Sequence, residues 1–221
     1  MIIEGNVIKG VKFVKSPNVG GNIKDHKYII IHYTASESAS SAIGWMVSSE
    51  SKVSAHLHID REGEIVQLVG FDKVAWHAGA SFWKGINGLN SYSVGIELQN
   101  TGNQEYTEKQ LEACKDVCEL LVSRYGFEEI LGHSDIAPGR KTDPGKHFPM
   151  EWLRSEVYRV VSTKKTTSAL NLRSGAGTNF SSLEVLSAGT EVNVLSESNG
   201  WSNVFICSTK KTGYVSSKCL K

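Results

Sequence analysis

The sequence predicts an α/β domain, with a mixed central sheet flanked by helices, followed by a small all-β barrel. Three observations predict it. Short β-branched or alternating runs recur through the first part of the chain, as in Tyr28-Ile-Ile-Ile31. Capped helical patterns stand between those runs. Beyond residue 161 the composition changes to short strand-like segments separated by Gly, Ser and Asn. A chain of 221 residues has room for one good core and a second, smaller module.

Taken in order, residues 28–31 read as a buried strand with His32 at its C-terminal end. Residues 36–47 suit a helix. Ser54-Ala-His-Leu-His-Ile-Asp60 alternates, with Ala55, Leu57 and Ile59 on one face and His56, His58 and Asp60 on the other. A turn at residues 61–63 leads to a returning strand over 64–69. Residues 93–98 form a further strand, from whose polar face Glu97 projects. The clearest helix spans 107–126: Thr107 and Gln110 make a capping-box pattern, and Gly126 suits the position just past the end. A last helix is expected over 148–161, with Trp152, Val157 and Val160 as apolar members. The polar, aperiodic stretch that follows marks a boundary. The expected domains are residues 1–160 and 168–221, joined by a linker at 161–167. Barrel strands are expected at 169–173, 191–195, 201–206 and 212–215.

Bulk composition is that of an ordinary globular protein, with 40% hydrophobic and 21% charged residues. A net charge of +1 gives no argument for nucleic acid or an acidic membrane. From residue 163 onward there are seven basic and three acidic residues, against 17 and 20 in the remainder. A basic tail suits an anionic polymer, and equally an ordinary surplus of surface lysines. No two of the four cysteines have CxxC spacing. Cys114 and Cys118 fall within a helical pattern and read as core. Cys207 and Cys219 are able to pair in an oxidising compartment, which spacing leaves open. The opening MIIEGNVIKG has no basic stretch followed by a long apolar run, so neither a secretory signal nor membrane insertion is expected.

One segment, LGHSDIAPGRKTDPG over residues 131–145, gathers His133, Asp135, Arg140, Lys141 and Asp143 in a turn-rich loop. A solvated loop accounts for that charge. So does a metal site, if further ligands arrive from elsewhere. His32 and His133 each end an apolar stretch, and Asp143 follows ten residues after His133. Two neutral imidazoles and a carboxylate meet the need of a hydrolytic Zn²⁺ for three protein ligands and an open position. Pro138, Gly139, Pro144 and Gly145 brace the loop that presents the third. With seven histidines and no HExxH helix, a zinc site and a set of structural histidines both remain open on these grounds.

Five segments, in order, narrow the choice. They are IIHYT around His32; VSAHLHI with REGEIVQ; AWHAG over residues 75–79; SVGIEL around Glu97; and GHSDIAPGRKTDPG. Together they resemble the type 2 N-acetylmuramoyl-L-alanine amidases, the peptidoglycan-recognition-protein superfamily, over about residues 28–150. The resemblance implies the amidase type 2 fold and one Zn²⁺ held by His32, His133 and Asp143. It implies hydrolysis of the amide between N-acetylmuramic acid and L-alanine of the stem peptide, with peptidoglycan or muropeptides as partner. Glu97 is then the catalytic proton carrier, and Lys141 the cation that stabilises the oxyanion. Without the resemblance both read as ordinary polar residues. His56 is expected near the substrate. Some relatives carry a helper tyrosine just before it, where this chain has Ala55. Trp76, His77 and Trp83 suit the glycopeptide groove, or equally the core. Asp135 suits a loop brace, Arg140 reads as solvated, and His58 lacks a clear family counterpart.

The tail resembles a bacterial SH3-like domain in ALNLRSGAGT, LSAGTEVNV, GWSNV and TGYVS. Such modules commonly bind cell wall. The first functional reading is a cell-wall lytic enzyme: an endolysin, an autolysin or a delivered antibacterial enzyme, reaching the wall by release or non-Sec export. The second is a cytoplasmic recycling amidase acting on soluble anhydro-muropeptides. The third is a peptidoglycan-binding protein without catalysis, against which the complete set of candidate ligands argues.

Overall fold

A run of consecutive apolar residues sits in a sheet where both faces are covered. Tyr28–Tyr33 (β2) meets that condition, with Ile29, Ile30 and Ile31 fully buried. Each contributes about 1.5–3 kcal/mol of burial energy. In the computed structural model, which describes residues 1–159, 162–206, 208–209 and 211–221, this strand is internal to a six-stranded sheet. Its other members are Lys12–Phe13 (β1), Leu57–Ile59 (β3), Ile65–Gln67 (β4), Ser93–Leu98 (β5) and Glu129–Gly132 (β6). The spatial order is β6-β2-β5-β3-β4-β1. β6, β2, β5 and β3 run parallel, β3 and β4 form an antiparallel pair, and β1 is parallel to β4. The sheet is mixed, in accord with the sequence. Its register places Glu97 between His32 on one neighbouring strand and His58 on the other.

Ala39–Met46 (α1) begins at Ser38, whose side chain accepts from the Ser41 amide at 3.2 Å. Glu108–Tyr125 (α2) carries the capping box that the sequence predicts. The Gln110 amide donates to Thr107 Oγ1 at 3.1 Å, and the Thr107 amide donates to Gln110 Oε1 at 3.2 Å. Gly126, with φ of 75°, ends it in the left-handed conformation that favours glycine. Cys114 and Cys118 are fully buried on this helix. His133–Ile136 (α3) is a single turn, and Met150–Val157 (α4) is shorter than the periodicity suggests. Val160 and Val161, at the end of the expected helix, lie outside the described residues. So does Cys207, and with it the pairing considered for Cys219. No helix among the described residues is long and apolar enough to cross a membrane.

Two compact units are present: residues 1–118 with 129–153, and residues 119–128 with 154–221. The second contains an all-antiparallel sheet of Ser162–Lys165 (β7), Leu170–Arg173 (β8), Ser182–Leu186 (β9), Glu191–Ser198 (β10), Trp201–Ile206 (β11) and Lys211–Ser216 (β12). Its order is β7-β10-β11-β12-β8-β9. Leu172, Leu186, Val192, Val194, Val204, Ile206 and Val215 form its core. Two strands escaped the sequence pattern. β7 falls in the polar stretch read as a linker and presents no apolar alternation. In β9 the apolar Leu183 and Val185 are exposed, so its pattern does not mark the buried face.

The capping box gives a test of the long helix. Thr107→Ala removes one acceptor at the α2 N-terminus and is expected to cost about 1 kcal/mol. A thermal melt should show a Tm lower by roughly 2–4 °C.

Candidate active site

The strand that buries Ile29–Ile31 delivers His32 at its C-terminal end. β6 ends at Gly132, and His133 opens α3 directly after it. Asp143 arrives on the returning loop, which passes so close to Gly132 that a Cβ there would lie 2.8 Å from Pro144 Cδ. Glycine is what that approach requires. The Ser134 amide donates to the Asp143 carbonyl at 2.9 Å, and Asp135 Oδ2 accepts from the Gly132 amide at 2.9 Å. Asp135 thus braces the loop. Further along, the Tyr106 hydroxyl donates to the Pro144 carbonyl at 2.8 Å, and Tyr33 pairs with Thr142 Oγ1 at 2.9 Å.

These supports bring three atoms together. His32 Nδ1 lies 2.9 Å from His133 Nδ1 and 2.9 Å from Asp143 Oδ2, and His133 Nδ1 lies 3.0 Å from Asp143 Oδ2. All three residues are buried. His133 Nε2 sits 3.0 Å from the Ala78 carbonyl, which only accepts, so that nitrogen carries the proton and Nδ1 of the neutral ring is bare. Burial pushes His32 down to about 4, against the opposing hydrogen bond with Asp143. Burial alone would raise Asp143, but the two imidazoles beside it hold it well below the usual carboxylate range. With both rings neutral, three lone pairs would converge on one point at hydrogen-bond separation. A cation resolves that conflict, and two imidazole nitrogens with one carboxylate oxygen suit a divalent transition-metal ion.

A cleft of about 540 Å³ opens over this trio, lined also by Tyr33, Trp45, Trp76, His77, Glu97 and Lys141. Burial raises Glu97 well above the ordinary glutamate value, and the Asp143 charge adds to this while Lys141 opposes it. Its Oε2 is buried without a hydrogen-bond partner among the described residues. Lys141 is exposed on the loop, two residues before Asp143.

The other expected site residues divide. Trp76 and His77 are half-buried in the cleft wall. His56 is fully buried: its Nε2 donates to the Lys73 carbonyl at 2.9 Å, and its Nδ1 accepts from the Gly95 amide at 3.0 Å. It has no nitrogen left to offer a substrate and takes no part in the function proposed below. Trp83 packs instead against the Tyr28, Leu89 and Leu131 cluster. Arg140, read from sequence as solvated, donates through Nη2 to the Ala78 carbonyl at 2.9 Å and to the Ala80 carbonyl. It ties the 78–80 segment to the loop, a role that no spacing signals. Trp45, on α1 and 59% exposed, was also missed as a cleft residue.

Residues 22–146 match the sequence family described as N-acetylmuramoyl-L-alanine amidase. The chain belongs to that family. Residues 168–221 match the bacterial SH3 domain. Over 118 residues the chain is 47% identical to the 1,6-anhydro-N-acetylmuramyl-L-alanine amidase AmpD of Escherichia coli (strain K12), covering 52% of this chain and 62% of that protein. It is 34% identical over 148 residues to the N-acetylmuramoyl-L-alanine amidase AmiD of the same strain, covering 59% and 52%. The chain thus spans about 60% of the length of the first curated relatives it matches. A crystal structure of a Se-Met AmpD derivative superposes with a TM-score of 0.66 at 31% identity, covering 70% of this chain and 98% of that one. The E. coli AmiD complex with the substrate anhydro-N-acetylmuramic acid-L-Ala-D-gamma-Glu-L-Lys gives 0.55 at 31% identity, covering 66% and 59%.

Metal content by mass spectrometry tests the trio. Purified wild-type protein should hold one divalent transition-metal ion per chain after dialysis. Asp143→Ala and His133→Ala should each hold far less while keeping the wild-type circular dichroism spectrum.

Proposed function

We propose that the protein is a zinc-dependent amidase that cuts the bond between N-acetylmuramic acid and the L-alanine of the peptidoglycan stem peptide. The observation that carries this reading is the buried His32–His133–Asp143 trio on the floor of a cleft that also holds Glu97, in a chain of the amidase family. Zinc, when bound by those three residues, supplies Lewis acidity for the scissile carbonyl and the attacking water.

The chain's own groups do the rest. Glu97 takes the proton that the attacking water gives up. Burial raises its affinity for that proton. It then passes the proton to the nitrogen of the departing L-alanyl group. A carbon–oxygen bond forms, the carbon–nitrogen bond breaks, and the products are a lactyl carboxylate and a stem peptide with a free amine. The Lys141 ammonium, from the cleft lining, offsets negative charge developing on the carbonyl oxygen.

Two substrates fit. Polymeric peptidoglycan is supported by the match of residues 168–221 to a bacterial SH3 domain, since a tethered wall-binding module raises local substrate concentration. Soluble 1,6-anhydro-muropeptides are supported by the 47% identity with AmpD.

Digestion of purified sacculi and of a soluble anhydro-muropeptide, with products resolved by mass spectrometry, tests both readings. Wild type should release stem peptides beginning with L-alanine. Glu97→Ala and Glu97→Gln should lower kcat about 10²–10⁴-fold while retaining their zinc. Intact sacculi with cleaved soluble substrate would select the second reading. Intact substrate in both tubes, with protein bound to the wall, would leave a binding protein.

A further inference from the structure

We propose that His77 and Ser93 are positioning residues that fix which nitrogen of His32 faces the metal site. This rests on the reading of His32, His133 and Asp143 as a metal centre.

The hydrogen-bond directions form a chain with one solution. Ser93 Oγ donates to the Leu89 carbonyl at 2.7 Å, which uses its only proton. Toward His77 Nε2, 3.3 Å away, it therefore accepts. His77 then carries its proton on Nε2 and presents a bare Nδ1. That Nδ1 lies 3.0 Å from His32 Nε2, so His32 must donate from Nε2. A neutral imidazole has one N–H, which leaves His32 Nδ1 bare toward His133 and Asp143. The rings meet edge to face, with centroids 5.1 Å apart and planes at 83°.

Two further features hold this relay in place. His77 lies directly on the sheet at Gly95, where an added Cβ would fall 2.4 Å from His77 Cγ. Asn90 Oδ1 accepts from the His77 amide at 3.1 Å and from the Ala78 amide at 2.7 Å. Adjacent residues thus orient both ligand histidines: the His77 ring takes the proton of His32, and the Ala78 carbonyl takes that of His133. A carbonyl accepts unconditionally. An imidazole accepts only in the correct tautomer, which is what the Ser93 hydroxyl selects. Outer partners of this kind set ligand orientation and basicity in metal sites.

Zinc affinity, measured by competition with a chelating dye, and nitrogen NMR of histidine-labelled, zinc-loaded protein test the relay. His77→Phe keeps bulk, removes the acceptor and should weaken zinc about 10–100-fold. Ser93→Ala should weaken it less, in the same direction. His77→Asn, which returns an acceptor near the Nδ1 position, should recover part of the loss. In wild type the His32 proton should reside on Nε2, protected from exchange, and Ser93→Ala should speed that exchange. If His77→Phe fails to fold, Ser93→Ala carries the test. Unchanged zinc affinity and exchange in the folded variants, or a His32 proton on Nδ1, would overturn the relay alone. A wild-type protein that binds no zinc would overturn the metal centre and the relay with it.

Discussion

The convergence of His32 Nδ1, His133 Nδ1 and Asp143 Oδ2 within about 3 Å of one another is the constraint on which this unit is built. Three buried electron-pair donors repel unless a cation or protons intervene, and burying a carboxylate costs several kcal/mol. The surrounding structure resists their separation. Ser134 ties the two ends of the loop through main-chain hydrogen bonding, Tyr106 holds the Pro144 carbonyl, and the bare Gly132 lets Pro144 approach. Each such hydrogen bond contributes about 1 kcal/mol. Metal binding and the stability of this loop are consequently linked, because an ion held by the folded site and not by the open loop favours the folded site.

The same constraint explains the polar face of the sheet. Alternation in residues 54–60 ordinarily marks a strand with one wet face. Here His56 and His58 are both fully buried. The segment through Trp76, His77 and Ala78 covers that face near Gly95, and His32 and Glu97 line the cleft. His32, Glu97 and His58 lie in register across three strands of the sheet. Glu97 and His58 keep buried atoms without hydrogen-bond partners among the described residues. For Glu97 that is intelligible: an unsatisfied carboxylate in a cleft retains capacity for water and substrate, at a cost in stability that the apolar strands beneath it offset.

What could be read from sequence follows from how local each cause is. The α2 cap is set by Thr107, Gln110 and Gly126, all within one segment, and it was legible. The buried strand at 28–31 was legible because four apolar residues in a row admit few environments. The candidate ligand trio lies across three segments, and spacing alone left it undecided; the resemblance of several ordered motifs selected these residues, and the fold brings them together. Arg140 and His56 went the other way. Arg140 is exposed, but its guanidinium is engaged by carbonyls 60 and 62 residues away in the chain. His56 is saturated by the Lys73 carbonyl and the Gly95 amide, partners set by strand pairing and loop packing. β7 and β9 were missed for a further reason. Each lies at an edge of its sheet, and an edge strand need not carry the apolar alternation of an internal one.

Substrate choice poses a separate physical question, because the groups nearest the scissile bond cannot answer it. The lactyl–L-alanine amide is the same in a polymer and in a soluble muropeptide. In the proposed mechanism Glu97, Lys141 and the candidate ligand trio act on that bond and its immediate charge, so they would stabilise the same transition state in either case. Discrimination must come from contacts farther out. The cleft lining includes Trp45 and Val53, both exposed, and Arg140, Lys141 and Thr142 of the loop. Binding energy from such remote contacts distinguishes substrates by their size and flanking groups. An SH3-like module that bound wall would act differently again: it would change how often a polymer strand is present, not how tightly the cleft grips it. The two substrate readings therefore differ in where affinity is generated, and they share one bond-cleaving apparatus.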